Sequence, residues 1–227
     1  MTFLELVARL HQECGLAGDP PTTTLGLYGE LKRLVDWTSQ AWVDIQSKRF
    51  DWDFLKKTFT FNTVASQQEY SATTDIHLTD FKRWVNDSFR AYLTSAGIGT
   101  EVILSQYPDY EDFRNFYLLG SRRLVTGRPL YIAIAPNRTL LMGFTPNDTY
   151  TVSGEYWRSS QKLAADADVP IMPEDYHMLI VYYAMKKYGY FNVAAEQLAT
   201  AKEESDILYN QLVYDQTPRV EVGDSLI

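Results

Sequence analysis

The side chains that could carry catalysis in this sequence are few and far apart. His11 and Cys14 lie three positions apart, a spacing that suits a pair of metal ligands or a thiol activated by a base. No second cysteine accompanies them, and the other histidines, His77 and His177, are distant in sequence. Because cysteine is among the most often buried residue types, we predict a structural role for Cys14 and no metal or cofactor site.

Paired carboxylates occur at Glu111 and Asp112 and again at Glu203 and Glu204. A glycosidase needs two carboxylates that face each other across a cleft, whereas adjacent residues on a helix point in different directions. The glycine pair within residues 97–99 lacks the third glycine and the strand and helix context of a nucleotide-binding loop. The residues therefore favour a protein that is not an enzyme, with an enzyme using Glu111 or Asp112 as the catalytic alternative.

The charge balance separates the C-terminal part of the chain from the rest. The 227 residues carry 21 Lys and Arg against 29 Asp and Glu, for a net charge of -8. Residues 161–227 hold 11 acidic and 5 basic side chains and so account for six of the eight net negative charges. A surface that binds nucleic acid nonspecifically is marked by a basic excess, so the composition argues against DNA binding as the main function.

Three arginines, Arg122, Arg123 and Arg128, form a small basic group in a predicted loop. They could contact an acidic partner or simply lie in a solvated loop. The 16 tyrosines leave a similar choice, because tyrosine suits both contact surfaces and aromatic β cores. The N-terminal segment lacks the apolar stretch of a signal peptide, and no run approaches the length of a membrane span, so we expect a soluble chain made in the cytoplasm.

Hydrophobic periodicity positions these residues in three successive regions. Apolar residues recur at helical spacing near both ends of the chain, first in Phe3, Leu6, Val7 and Leu10, and again after Pro173. We expect Gly189 to break or kink the helix that follows Pro173, and a further helix to begin at Asn192 and to include Val193. The N- and C-terminal amphipathic halves are predicted to pack on each other.

Short strands joined by turn residues are predicted between the helical halves. We expect a hairpin over Arg83–Leu93, a single strand over Glu101–Gln106 and an antiparallel meander, whose strands are Leu130–Ala135, Thr139–Phe144 and Tyr150–Arg158. The predicted fold is thus α+β, a helical bundle with an inserted antiparallel β lobe and an extended C-terminal arm. The two halves of the helical body are predicted at residues 1–57 and 163–214. The lobe is predicted at residues 58–162 and includes a short helix near 109–118, and the arm is predicted at residues 215–227.

Three stretches resemble the head-to-tail adaptor (connector, or head completion) proteins of tailed bacteriophages. They are LKRLVDWTSQAWVDIQSKRFDWDFLKKTFTF, GRPLYIAIAPNRTLLMGFTPNDTYTVSGEYWRSSQKL and VPIMPEDYHMLIVYYAMKKYGYF. The resemblance implies a non-enzymatic virion protein that assembles in the host cytoplasm. It further implies a ring, usually dodecameric, that docks under the portal protein, binds a tail tube, stopper or nozzle protein, and lets DNA pass without specific binding.

The C-terminal residues follow the last predicted helix and are too few and too polar to fold alone. We assign Tyr214, Pro218, Arg219, Val220 and Val222 to a portal-binding arm, with a disordered terminus as the alternative. The alternative for the whole chain is a virion surface module that binds carbohydrate or a receptor through the Tyr-rich β lobe. Oligomeric form distinguishes the two, because a ring formed with the portal indicates an adaptor.

Overall fold

The computed structural model describes residues 1–217 of the chain. These residues form two compact units, one comprising Met1–Leu55 together with the chain from Ser160 onward, and the other comprising Lys56–Ser159. The first unit is built from long helices, and the second from short strands with one short helix. The α+β class predicted from the sequence is confirmed.

The described residues contain five α-helices: α1 (Phe3–Glu13), α2 (Gly29–Lys48), α3 (Tyr110–Phe113), α4 (His177–Asn192) and α5 (Ala195–Gln216). Short 3₁₀ turns cover Asp53–Leu55, Ile98–Thr100, Ser121–Leu124 and Glu174–Tyr176, and a π-helical turn, Arg114–Leu118, directly continues α3. The backbone is helical through Gln216, so residue 215, where the extended arm was predicted to begin, lies in the last turn of α5.

The helical unit is organised around α4, which packs against α1, α2 and α5. Helix α1 begins with a reciprocal cap, in which the Glu5 backbone N–H donates to Thr2 Oγ1 and the Thr2 N–H donates to Glu5 Oε2. The predicted apolar stripe of α1 is buried and consists of Phe3, Leu6, Val7 and Leu10. Helix α2 also buries Leu34, Trp42 and Ile45. These stripes provide the apolar burial that stabilises the unit.

Two glutamines tie the segment after the β-rich unit to α2. Gln46 is fully buried, and its Nε2 donates to the carbonyl oxygens of Trp42, at 3.1 Å, and Gln161, at 2.9 Å. Gln46 Oε1 accepts the backbone N–H of Gln161, at 2.8 Å. Gln161 Oε1 accepts from Trp42 Nε1 and from the backbone N–H of Ile171. The sequence gives no signal for this network, since glutamine in an amphipathic helix is normally solvent-exposed.

Gly189 lies inside α4 and does not break it, contrary to the prediction. A Cβ at Gly189 would lie 2.9 Å from Leu198 Cβ and 3.2 Å from Leu198 Cα. Glycine is therefore needed at this position because α5 passes very close to α4. The chain turns at Val193, whose backbone is left-handed at φ 53°. Val193 was predicted to belong to the next helix, and this assignment is wrong.

Eleven short strands are described in the β-rich unit: β1 (Lys56–Asn62), β2 (Glu69–Tyr70), β3 (Phe81–Trp84), β4 (Arg90–Leu93), β5 (Val102–Ile103), β6 (Ser105–Gln106), β7 (Thr126–Gly127), β8 (Tyr131–Ile134), β9 (Leu140–Gly143), β10 (Thr145–Pro146) and β11 (Tyr150–Arg158). One sheet has the order β1-β11-β4-β5, with β3 also paired to β11, and a second has the order β2-β9-β8-β6. Most pairs are antiparallel, but β6 with β8 and β7 with β10 are parallel.

The predicted meander is only half correct. Strands β8 and β9 form an antiparallel hairpin, but β11 leaves that sheet and pairs with β1 along seven residues. The predicted hairpin over residues 83–93 is wrong, because β3 and β4 both pair with β11 instead of each other. Most side chains of β11 are buried. In the middle of a sheet, the backbone N–H and C=O groups of a long buried strand form hydrogen bonds with neighbouring strands on both sides.

The predicted single strand over residues 101–106 is divided between the two sheets. Strand β5 pairs with β4, and β6 pairs with β8. Leu104 lies between them and is fully buried, so the chain changes sheets at a core residue. The main core of this unit is aromatic, with Phe59, Trp84, Phe89 and Tyr156 packed together. Some of the 16 tyrosines, such as Tyr156, thus belong to the core of the β-rich unit.

Candidate interaction surfaces

An exposed loop of residues 119–125, here called the basic loop, follows α3 in the β-rich unit. Asp109 caps α3, since its side chain accepts the Glu111 backbone N–H at 3.0 Å. Phe113 and Tyr117 then point into a second buried cluster with Ala133 and Leu141. Burial raises the pKa of Tyr117, with a smaller contribution from two nearby tyrosines. A rigid aromatic layer therefore supports the start of the basic loop.

The basic loop carries two of the three predicted contact arginines on its surface. Arg122 and Arg123 are exposed, and Arg122 Cζ lies 3.8 Å from the centroid of the Phe116 ring. Arg123 lines a surface cavity of about 510 Å³ together with Glu69 and Leu124. Cation stacking on an aromatic ring holds a guanidinium in a defined position without removing its charge. The loop therefore presents positive charge at a fixed place.

Arg128 is placed differently from Arg122 and Arg123. Its side chain is half-buried, and its guanidinium donates to the carbonyl oxygen of Thr100. Its Nε atom is buried, and no hydrogen-bond partner is found for it among residues 1–217. The geometry connects Arg128 to the backbone of its own unit. The sequence grouped the three arginines by proximity along the chain, which does not distinguish a surface arginine from one used within the fold.

Exposed aliphatic side chains flank the two surface arginines. Leu124 is 76% exposed, and Leu119 and Val125 are each almost half exposed. Isolated exposed apolar residues are common, but three within seven positions beside two arginines form a patch of mixed character. Interfaces between proteins are enriched in arginine and apolar contacts and depleted in lysine and acidic residues. The basic loop has this character.

The second surface is the outward side of α5. Only Ala201, Ser205 and Leu212 are buried along its 22 residues. The opposite side includes Glu196, Glu203, Ile207, Asn210 and Tyr214, all of them exposed. With about 3.6 residues per turn, their spacings of seven, four, three and four positions align these residues in one stripe. We call this stripe the outer face of α5.

Tyr214, which the sequence assigned to a portal-binding arm, lies in the last turn of α5 and is 73% exposed. It lines an open surface cavity of about 460 Å³ with Tyr176, Asn210, Gln211 and Asp215. Burial raises the pKa of Tyr176, and the Asp215 carboxylate adds to that shift. The other four predicted arm residues lie outside the described residues: Pro218, Arg219, Val220 and Val222.

A third exposed surface lies at the turn between α4 and α5, and no pattern in the sequence predicted it. Tyr190, Phe191 and Val193 are all exposed, and Val193 reaches 88%. The Arg33 guanidinium lies 4.6 Å from the Phe191 ring centroid. A left-handed backbone is costly for a β-branched residue, and glycine or asparagine is usual at such a helix end. Because Val193 is exposed, little packing of its side chain offsets this backbone strain.

The strain at Val193 has a measurable consequence. We expect Val193→Gly to raise the free energy of unfolding of the helical unit by about 1 kcal/mol, because glycine removes the clash of Cβ at positive φ. Chemical denaturation followed by far-UV circular dichroism measures the change. Val193→Ala keeps a Cβ and should gain less than the glycine variant. A glycine variant no more stable than the parent would show that Val193 is not strained.

One family model matches this chain over residues 1–220, and its description is SU10 adaptor protein. The chain belongs to the SU10 adaptor protein family. This is a family of phage head-to-tail adaptors, so the resemblance drawn from the sequence is confirmed. No curated protein matches the chain.

Family membership makes this adaptor a component of the phage virion at the neck between head and tail, where adaptors interact with portal and tail components. Such families are structural and not typically enzymatic. The described helices of this adaptor include none with the length and apolarity needed to cross a membrane. Within residues 1–217, no three His, Cys, Asp or Glu side chains are grouped as a metal site.

The structure shows the surroundings of three of the residues that were considered for chemistry, Cys14, His11 and Glu111. Cys14 is buried, as predicted, and burial raises the pKa of its thiol to about 12, with Glu13 adding to the shift. His11 is also buried in α1. Glu111 is exposed and forms an ion pair with Arg114, at 3.2 Å. A thiol with a raised pKa is a poor nucleophile, so Cys14 is suited to packing and not to catalysis.

Proposed function

We propose that this adaptor assembles as a dodecameric ring under the phage portal, continues the DNA channel below it, and presents a surface for a tail tube, stopper or nozzle protein. The observation that carries the proposal is the family match over residues 1–220. The ring and the channel follow from what the resemblance implies for adaptors of this kind. We also propose that the ring lies at the head–tail junction of the virion. Its assembly takes place in the host cytoplasm.

The division into two units supports a role between two unlike partners. Each unit has its own buried core and its own exposed surface. The helical unit offers the cavity beside Tyr214, and the β-rich unit offers the basic loop. We propose that Tyr214, Pro218, Arg219, Val220 and Val222 contact the portal, and that the basic loop residues Arg122 and Arg123 contact an acidic protein surface.

The charge of the chain suits a channel through which DNA slides without binding. A net charge of -8 opposes the counterion release that drives nonspecific binding to DNA. We therefore propose that DNA passes through the ring without specific contacts. Electron microscopy of the protein mixed with its portal tests the ring directly. A monomer in solution is compatible with the proposal if rings form on the portal, whereas particles without a ring in the presence of the portal contradict it.

Truncation after Thr217 tests the portal-binding assignment. Thr217 is kept because its Oγ1 donates to the Val213 carbonyl oxygen, at 2.6 Å, at the end of α5. We expect the truncated protein to keep its helical content and to lose co-sedimentation with portal rings, because most of the proposed contact residues are removed. The measurement is the fraction of adaptor that sediments with the portal.

Tyr214→Ala in the full-length chain provides a matched variant for the helix end. Its side chain is largely exposed, so we expect an unchanged unfolding midpoint and weaker portal binding.

Undiminished portal binding by the protein truncated after Thr217 would show that residues 218–227 do not form the portal contact. The family assignment would be unaffected by that result.

A further inference from the structure

The basic loop lies in a stretch of the chain that contains no acidic residue. Residues 113–147 include five arginines and neither Asp nor Glu, although the whole chain has a net charge of -8. Three of the five are engaged within the fold: Arg114 with Glu111, Arg128 with the Thr100 carbonyl, and Arg138 with the Lys82 carbonyl. In the described part of the chain, no ion pair is found for Arg122 or Arg123, so their charge is available to a partner.

The outer face of α5 has the opposite character. Residues 195–217 contain five acidic side chains and one lysine. Glu196 and Glu203 lie two helical turns apart on the outer face, and Ile207 follows one turn later and is half exposed. The outer face of α5 thus combines two acidic side chains with one exposed aliphatic side chain, and the basic loop combines two arginines with three exposed aliphatic side chains. The basic loop and the outer face of α5 are therefore opposite in charge, and both carry exposed apolar side chains.

From this match we infer that the basic loop of one copy docks on the outer face of α5 in a second copy. Arg122 and Arg123 would pair with Glu196 and Glu203, and Leu124 would pack near Ile207. The two surfaces are different, so the contact is head-to-tail, which is the type of contact that closes a ring by rotation. The inference rests on the proposed ring and names the surfaces that join neighbouring copies in it.

Other occupants of the basic loop are less well matched. A DNA-binding surface owes its affinity to the number of phosphate contacts, and two arginines surrounded by exposed leucine and valine offer few. Exposed aliphatic side chains gain nothing from a phosphate backbone, whereas they are buried when two protein surfaces meet. The second copy of the chain supplies both acidic residues and an exposed aliphatic residue on one helix face. These features favour the second copy.

Cross-linking through introduced cysteines tests the inference. The native thiol of Cys14 is buried and has a pKa of about 12, so it does not compete with exposed cysteines. We expect the double variant Arg123→Cys, Glu203→Cys to give a ladder of covalent multimers with a short bis-maleimide, both on portal rings and in concentrated free protein. Each single variant should give no ladder, because a head-to-tail contact brings position 123 next to 203 and not next to itself.

Charge reversal provides a second measurement on the same surfaces. We expect Arg122→Glu with Arg123→Glu, or Glu196→Arg with Glu203→Arg, to weaken self-association by about tenfold or more, because like charges then face each other. Mixing the two variants should restore association, since each reversed surface meets its complement on the other variant. High salt should weaken the association of the parent protein, because exposed charge pairs are screened.

The outcomes separate this inference from the proposed function. Portal binding without any cross-linked ladder would overturn the contact between the basic loop and α5 and leave the adaptor function intact. A ladder in free protein without portal binding would support the contact and contradict the portal role. Failure of the mixed variants to associate would also overturn the inference. Retention of DNA by the parent, lost with the arginine reversal, would identify the loop as a nucleic-acid contact instead.

Discussion

Gln46→Glu should lower the free energy of unfolding of the helical unit by about 4 kcal/mol, although the two side chains have almost the same shape. The amide nitrogen of Gln46 donates to the carbonyl oxygens of Trp42 and Gln161. A carboxylate at this place keeps the acceptor for the Gln161 N–H but directs its second oxygen at two carbonyl oxygens. A buried charge with one oxygen directed at two acceptors is among the costliest single changes in a protein.

Urea denaturation followed by far-UV circular dichroism measures this loss. Gln40→Glu is the matched control, because Gln40 lies on the same helix and is exposed, so we expect a change of less than about 1 kcal/mol there. Burial and the two carbonyl oxygens raise the pKa of the introduced carboxyl in the folded protein. The penalty should therefore be small below the ordinary glutamate pKa of about 4.3, grow as the pH rises, and be complete only above the raised pKa of the folded state. A penalty independent of pH would show that the carboxyl is solvated.

Local patterns in the sequence predicted the helical unit well, because a helix forms from residues that are neighbours in the chain. The stripe from Phe3 to Leu10 and the helix after Pro173 both depend on spacings of three and four residues, and the structure buries those residues. The same reasoning could not find Gln46, whose partner Gln161 is 115 positions away. Polar residues that stabilise a fold through distant partners leave no periodic signal.

Strand pairing was the least predictable part of the fold. Chain order favoured a meander ending in residues 150–158, yet β11 pairs with β1, which lies about ninety positions earlier in the sequence. Several sheet topologies bury the same alternating side chains, and the choice depends on how whole sheets pack. The junction at Leu104 illustrates this, since two consecutive short strands join different sheets. No window of a few residues contains that information.

The candidate surfaces were predicted where they depend on composition and missed where they depend on conformation. Arg122 and Arg123 were found because clustered arginines are visible in any sequence, but the engagement of Arg128 with Thr100 is visible only in the fold. The outer face of α5 becomes a surface because only one narrow stripe of that helix is covered. Val193 had been assigned to a helix, since nothing in its neighbourhood indicates a left-handed backbone.

Gly189→Ala should destabilise the helical unit by about 2 kcal/mol, the opposite of the usual effect of this substitution inside a helix. Alanine normally gains up to about 1 kcal/mol over glycine at such a position. Here the added methyl group would lie 2.9 Å from Leu198 Cβ and close to the Leu198 backbone, which cannot rotate away. Helix α5 must then move off α4, and overpacking of this kind costs about 1–3 kcal/mol.

The same denaturation experiment measures the effect, with Tyr190→Ala as the matched control on the next, exposed position of α4. We expect the control to change the free energy of unfolding by less than about 0.5 kcal/mol. A stabilised Gly189→Ala variant would mean that α4 and α5 are not as closely packed as the structure has them. Because α5 carries the proposed contact surface, displacement of this helix should also reduce the cross-linking between positions 123 and 203, whereas Tyr190→Ala should leave it unchanged.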